Sequence, residues 1–316
     1  MSFDSPRCAV WMVTYNHEKY IAEAIESVLK QETSFTYKLF IGDDCSSDST
    51  TDICRIYSER YPDKIDLVVN EKNRGAHGNG VRTYHRCLQS GAEYLALCEG
   101  DDYWTDPHKL QKQIGFLESN RDYAICFHNS KIINDEEPEK ISFSNLPDQP
   151  ETSEFGDLAE KEFIYTATCL FRSEDLKKFP QKHYRYLNNY TLDLNNAQYG
   201  YIKYLDEVMS VYRKHRGGIW SMVAREKTLI EHLPVYKFYV RYFHKKYRKY
   251  FLKHLKDMSA ELVSLKLANN DFSNFWRYYR EYFIYNIQDR NERKHIASIF
   301  KKAVLAQTRQ IFNDHR

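Results

Sequence analysis

Between Cys8 and Leu97 the chain switches repeatedly between two hydrophobic periods, and few folds accept that alternation. Cys8 to Thr14 is a short apolar run, after which Ile21, Ala24, Ile25, Val28 and Leu29 recur at helical spacing. Lys38 to Gly42 is a second apolar run, and Ile53, Ile56 and Tyr57 then mark the inner face of a helix capped by Asp48 or Ser49. Ile65 to Val69 reads as a third strand. A Gly/Asn-rich loop, Asn73 to Gly80, leads into a helix through Leu88, and Tyr94 to Leu97 is a fourth strand. A βαβαβαβ order predicts a parallel, doubly wound sheet flanked by helices. Such sheets bind ligands beyond the carboxyl ends of their strands, where the strand order reverses.

Polar residues gather at those strand ends: Thr14-Tyr15-Asn16, Asp43-Asp44 and Glu99 to Asp102. Glu99, Asp101 and Asp102 place three carboxylates within four residues. Their mutual repulsion makes little sense at a purely structural strand end, although a solvated acidic turn is the bland alternative. A hard divalent cation such as Mg2+ or Mn2+ takes oxygen ligands and keeps positions open for phosphate oxygens.

The remainder sets the limits. A chain of 316 residues is long for one core, so one large domain with an appendage, or two domains, is expected. Net charge of +2 says nothing about nucleic acid. Seven scattered cysteines without a C-x-x-C pair argue against a zinc site and a disulfide framework, and fit a reducing cytoplasm. The N-terminus lacks a signal-peptide core, and no uncharged run nears the roughly 18 residues that cross a bilayer. A soluble or peripheral protein is expected. Residues 136 to 156 read as a long loop, Thr166 to Phe171 as a strand and Ser173 to Phe179 as a short helix. A further helix runs through Gln198 and ends at Gly200, and Ile202 to Arg213 is extended. After Gly217-Gly218 the pattern turns helical to the end, with breaks near Pro234 and Asn269-Asn270. The boundary predicted there divides 1–217 from 218–316.

With these residues in view, the N-terminal two-thirds resembles the family 2 glycosyltransferases of the GT-A fold, typical of bacterial surface-polysaccharide synthesis. The matching pieces are V-T-Y-N-H-E-K-Y-I at Val13 to Ile21, I-G-D-D-C-S-S-D-S-T at Ile41 to Thr50, N-R-G at Asn73 to Gly75, E-G-D-D-Y-W at Glu99 to Trp104, and Y-L-D-E-V-M-S-V-Y-R-K-H at Tyr204 to His215. Each is weak alone; their order and spacing together are specific over about residues 8 to 218. The C-terminal hundred residues lie outside it.

The resemblance implies a metal-dependent, inverting transfer of a sugar from a nucleotide diphosphate, UDP by expectation, to a saccharide or lipid-linked acceptor. Thr14, Tyr15 and Asn16 would wall the nucleoside, Asp43 would accept from a base N–H, and Asp44 and Arg74 would flank them. Asp101, Asp102 and His215 would hold Mn2+ or Mg2+, with Glu99 contacting ribose or a metal-bound water. Trp104 and Arg213 would border the sugar and diphosphate, although Arg213 could instead pair with Asp206 or Glu207. The family's metal motif usually begins with Asp, where this chain has Glu99. The family's acidic base falls on Asn189, so the base expected here is Asp193, one helical turn on.

Residues 236–256 interleave Lys and Arg with Tyr and Phe without an acidic residue. The readings are a helix packed on the protein, a helix on an anionic membrane surface, which would place the protein at the inner face of the plasma membrane, or an oligomer contact. Nucleic acid is not an expected partner. Two rivals to the enzyme reading remain at this point. One is a nucleotidyltransferase, whose phosphate loop Thr14 to His17 does not supply. The other is a non-catalytic nucleotide-sugar or polysaccharide binder, which Asn189 keeps open.

Overall fold

A computed structural model describes residues 5–218, 225–287 and 292–314. The chain separates into two compact units, Met1–Met222 and Val223–Arg316. The first unit opens with β1 (Cys8–Thr14), α1 (Ile21–Leu29), β2 (Tyr37–Asp43), α2 (Thr50–Arg60), β3 (Ile65–Val69), α3 (Gly75–Gln89) and β4 (Tyr94–Leu97). It continues through β5 (Tyr103–Trp104), α4 (Lys109–Ser119), β6 (Tyr123–Asn134), β7 (Ser142–Phe143), β8 (Thr152–Ser153), α5 (Phe155–Glu160), β9 (Leu170–Arg172), α6 (Ser173–Leu176), α7 (Asn189–Ala197) and β10 (Tyr201–Lys214). The main sheet runs β3-β2-β1-β4-β9-β6-β10-β5.

The alternation becomes a parallel β3-β2-β1-β4 half, reversing order at β1 and β4. Both faces are covered, so β1 and β4 are apolar along nearly their whole length. Met12, Ile21, Ile25, Leu39, Ile41 and Ala96 share one core with Leu110 and Ile114 of α4. Gly42 permits the closest contact between layers: a Cβ built there would lie 2.0 Å from Thr83 Oγ1 on α3. β9 then runs antiparallel to both β4 and β6, while β10 pairs parallel with β6.

Two buried cations hold the second half in place. Lys109 is fully buried, donates to Gln113 Oε1 at 2.8 Å and sits 4.1 Å over the Trp104 ring. Burial pulls its ammonium down to about 8. Arg172 donates to the carbonyls of Leu117 and Asn120, capping the end of α4.

The structure departs from the sequence reading in several places. Thr166 to Phe171 is not one strand. A 3-10 turn covers Thr166–Thr168, closed by Thr168 N to Tyr165 O at 2.9 Å, and the Thr168 hydroxyl bonds the same carbonyl. The helix predicted from Ser173 ends at Leu176, and the long loop contains the two-residue strands β7 and β8.

The second unit comprises α8 (Arg225–Tyr242), α9 (Arg248–Ala268), α10 (Phe272–Asn286) and α11 (Glu292–Asp314). Leu229, Leu233, Leu262, Val263, Phe275, Tyr282 and Ile296 form its core. Pro234 does not break the chain; α8 runs through it, with Leu229, Leu233, Phe238 and Tyr239 buried on either side. Packing overrides the local penalty. The breaks fall at 243–247 and at Asn269–Asp271, where Asn270 has φ 54° and Asp271 accepts from Asn274 N. Residues 236–256 are therefore not one amphipathic helix. Tyr239, Phe243 and Phe251 stack into the core of the bend, with ring centroids 5.3 to 5.5 Å apart. No described helix is long and apolar enough to cross a membrane.

Gly42→Ala should force α3 away from the sheet. Overpacking of this kind costs about 1–3 kcal/mol, which thermal unfolding would show as a lowered Tm. A Tm equal to that of the unsubstituted chain would mean the β2–α3 contact is looser than described.

Candidate active site

β1, β2 and β4 are parallel, so Thr14, Asp43 and Leu97 finish on one sheet edge. Beyond that edge the loops are laced to one another. Asp44 N donates to Thr14 O at 3.0 Å, and Gly100 N donates to Val13 O at 2.9 Å. A Cβ on Gly100 would meet Thr14 Cβ and Oγ1 at 2.8 Å, so this turn needs glycine to sit against β1.

The last strand of the first unit reaches the same place through its register. β10 pairs antiparallel with β5, Ser210 opposite Trp104 and Val211 opposite Tyr103. Two residues further along, that register sets Arg213 opposite Asp101. Arg213 N accordingly donates to Asp102 Oδ1 at 2.9 Å, and its guanidinium donates to Asp101 O at 3.1 Å. His215 Nε2 then lies 3.0 Å from Asp101 Oδ2. His17 approaches the same carboxylate oxygen, its ring 5.7 Å from that of His215. Asn16, at φ 56°, turns the chain after β1, and His17 N is anchored on Thr50 Oγ1 at 2.7 Å. His17 Nε2 is 3.7 Å from Asp101 Oδ2.

His17, Asp101 and His215 each offer one ligand atom, all within 4.8 Å of one another. The protonation states suit a cation. Burial pulls the His17 imidazole below its usual value, keeping it neutral. Asp101 is held below the usual carboxylate range chiefly by its hydrogen bond to His215, against the opposing effect of burial. The His17 Nδ1 is buried without a partner, so the ring is not fixed by an internal hydrogen bond. Two imidazoles and one carboxylate depart from the all-oxygen ligand set that Mg2+ prefers.

The remaining carboxylates are treated differently. Asp102 was expected as a metal ligand, but it is 2% exposed and its Oδ1 is taken by the Arg213 amide. Burial, Asp101 and Glu99 raise it well above the usual range, so it joins β10 to the acidic loop rather than the trio. Burial beside Asp101 lifts the Glu99 carboxyl to about 8. Glu99 also hydrogen-bonds the Thr166 side chain, and Thr166 Oγ1 accepts from Asn189 Nδ2 at 2.6 Å. The site thus extends from Glu99 through Thr166 to Asn189.

Other predicted residues fall where the sequence put them, with altered surroundings. Tyr15 is 44% exposed at the edge, and Thr14 is buried with its hydroxyl unpartnered. Asn16 Oδ1 accepts from Ser47 N, bracing the β1 loop against the β2 loop. Asp43 is fully buried and accepts from Ser46 Oγ and Thr51 Oγ1. Asp44 accepts from Asn70 Nδ2 and from the backbone of Arg74, whose side chain is exposed.

Two further expectations need correction. Trp104 borders no sugar pocket. Its ring is buried under Lys109, and Nε1 donates to Ala167 O. Arg213 pairs with Glu23 at 2.7 Å rather than with Asp206 or Glu207, and lies against the Tyr20 ring.

Asp193 is the largest departure. It is 2% exposed, Oδ1 has no partner, and burial with the charge of Glu162 holds its carboxyl well above the usual range. A protonated, buried acid is unsuited to take a proton from an incoming hydroxyl. Glu162 presents an exposed surface yet sits in crowded surroundings, whose desolvation lifts its carboxyl to about 7. His17, Thr166 and Glu162 went unnoticed in the sequence. His17 stood inside the Val13 to Ile21 motif and was the recoverable one.

Comparison with known proteins bears on this geometry. Residues 9–180 match the family description "Glycosyl transferase family 2". An uncharacterised protein of Mycobacterium tuberculosis is 35% identical over 216 residues, 68% of this chain and 61% of its own length. The chain thus spans about three-fifths of that relative. The poly(ribitol-phosphate) beta-N-acetylglucosaminyltransferase TarS of Staphylococcus aureus is 33% identical over 172 residues, 54% of this chain and 28% of its own. The structure of S. aureus TarS 1–349 in complex with UDP superposes with a TM-score of 0.60 at 16% identity, covering 95% of this chain and 88% of the other. The mannosyltransferase PcManGT of Pyrobaculum calidifontis, in complex with GDP-Man and Mn2+, gives 0.52 at 14% identity, covering 96% and 87%. At those identities the likeness is one of fold.

Calorimetric titration with Mn2+ alone tests the trio without reference to activity. Asp101→Asn, His17→Ala and His215→Ala should each weaken binding roughly tenfold or more, whereas Asp102→Asn should leave it within about threefold. Unchanged affinity in His17→Ala would remove that residue from the site.

Proposed function

Because the chain belongs to glycosyltransferase family 2, we propose that it moves a sugar from a nucleotide diphosphate sugar to a saccharide or lipid-linked hydroxyl, with inversion at the anomeric carbon. The observation that carries this reading is the convergence of His17, Asp101 and His215 beyond the carboxyl ends of a doubly wound sheet. A cation such as Mn2+, held by these three, would supply positive charge against the departing diphosphate. UDP is the proposed carrier: TarS is described in complex with UDP and with UDP-GlcNAc. The nucleotidyltransferase alternative is set aside on family membership.

The protein's own residues perform the remaining work. Tyr15 offers an exposed ring at the sheet edge for the nucleobase, with the unpartnered Thr14 hydroxyl beside it. Arg74, exposed at the start of α3, adds a cation at the same edge. Asp43 and Asp44 hold the β2 loop rigid through Ser46, Thr51 and Asn70. Glu99, linked to Thr166 and Asn189, faces the sugar side of the trio in this reading. Arg213, fixed on Glu23 and the Asp101 carbonyl, keeps the acidic loop in position.

The base is assigned to Glu162 in place of Asp193. Glu162 precedes the turn bearing Thr166, its surface is open, and its proton affinity lies near neutrality. A single base and a single displacement give inversion. A second reading, a nucleotide-sugar binder without turnover, is favoured by one observation: the family's base position is Asn189, whose amide is bonded to Thr166.

Two measurements follow. UDP should raise the melting temperature strongly only when Mn2+ is present, since a ligand confined to the native state stabilises it. A shift of equal size without metal would contradict a cation-held diphosphate. Hydrolysis or transfer from a UDP-sugar should fall about tenfold per pH unit below about pH 7, as Glu162 takes up its proton and can no longer accept one. Glu162→Gln should lose this limb and roughly a hundredfold or more in kcat, with UDP binding retained; Asp193→Asn should keep most of the activity. Inactivity of the unsubstituted protein toward every UDP-sugar, with binding intact, would support the binder.

A further inference from the structure

Within the second unit, α8, α9 and α10 enclose an open cleft of about 680 Å3. Its polar lining is one-sided: Lys237 and Arg241 from α8, Arg248 from α9, Arg277 and Arg280 from α10, against the single carboxylate of Glu281. Lys237 and Glu281 neutralise one another at 2.5 Å. The four guanidinium groups have no carboxylate partner among the described residues. All four arginines are exposed. Three separate helices therefore bring uncompensated like charges to one concavity. Folding gains nothing from that gathering, since like charges repel.

The floor is apolar. Val240, Leu252, Leu255 and Ile284, with Tyr285, complete the lining; Leu255 is buried, while Ile284 is 56% exposed, beside Phe283 at 41%. Arginine forks match phosphate oxygens in pairs and shed water more readily than ammonium groups do. A ligand suited to both parts carries a phosphate at one end and hydrocarbon at the other.

We propose that this cleft binds the phosphate headgroup of an anionic phospholipid, seating the second unit on a membrane surface without insertion. Lys245, Lys246 and Lys249, exposed in the bend that joins α8 to α9, extend the positive field beside it. The buried aromatic rings of that bend hold the segment's shape rather than face lipid. The occupant is thus recognised by the arginine cluster, which sequence spacing could not reveal, because Arg277 and Arg280 lie on a different helix from residues 236–256.

The test uses the full chain with vesicles of phosphatidylcholine, with and without phosphatidylglycerol. Co-sedimentation should favour the anionic vesicles by roughly tenfold or more and weaken with salt. The doubly substituted R277Q/R280Q should lose roughly tenfold in vesicle affinity with an unchanged Tm, whereas K301Q/K302Q, which removes the same charge from α11, should lose less than about threefold. Equal losses in the two variants would reduce the effect to net charge and overturn the site. So would full binding by R277Q/R280Q, or no binding to anionic vesicles at low salt. Displacement from vesicles by millimolar inorganic phosphate would reassign the cleft to a soluble anion and overturn the lipid.

Discussion

The antiparallel pairing of β10 with β5 is the contact on which the candidate site depends. It is only two residue pairs long, Ser210 with Trp104 and Val211 with Tyr103. Yet it fixes where the last strand of the first unit ends, and so sets Arg213 and His215 against the acidic loop. The Arg213 amide on Asp102 extends the pairing by one further hydrogen bond. Asp102 therefore serves as a carboxyl-bearing extension of the ladder. On its other side β10 stays paired with β6 as far as Lys214 opposite Asn134, so the strand end that carries His215 is held from both sides.

The same contact explains how three acidic groups share one buried turn. Their charges cannot all be expressed in a low-dielectric setting. Burial and its neighbours keep Asp102 well above the usual range, Glu99 is lifted to about 8, and Asp101 alone is held ionised, chiefly by its hydrogen bond to His215. One fixed negative charge beside two imidazole nitrogens is a receptor for a cation. A solvated turn would have titrated ordinarily at all three positions.

Much of this was readable in the sequence. The alternation of apolar runs specified the parallel half, and strand-end polarity located its working edge, because period and burial are local properties. Asp101 and His215, which the structure brings within 3.0 Å of each other, are singled out by motif resemblance. The failures share a cause: they concern which way a side chain turns once long-range contacts form. Trp104 reads as a ring for a sugar until Lys109, five residues on, is found stacked over it. Asp193 reads as a carboxylate until α7 is packed on all sides. Pro234 reads as a stop until the buried residues around it carry the helix through. The 236–256 segment reads as one amphipathic face, but it bends at Phe243, and its rings turn inward.

Anomalous scattering at the manganese edge, from crystals soaked with Mn2+ and UDP, addresses the central claim most directly. One peak is expected within coordinating distance, about 2.0–2.4 Å, of His17 Nε2, Asp101 Oδ2 and His215 Nε2, with the diphosphate on its open side. A peak on Asp102 or Glu99 without His17, or UDP bound with no manganese between it and Asp101, would contradict it.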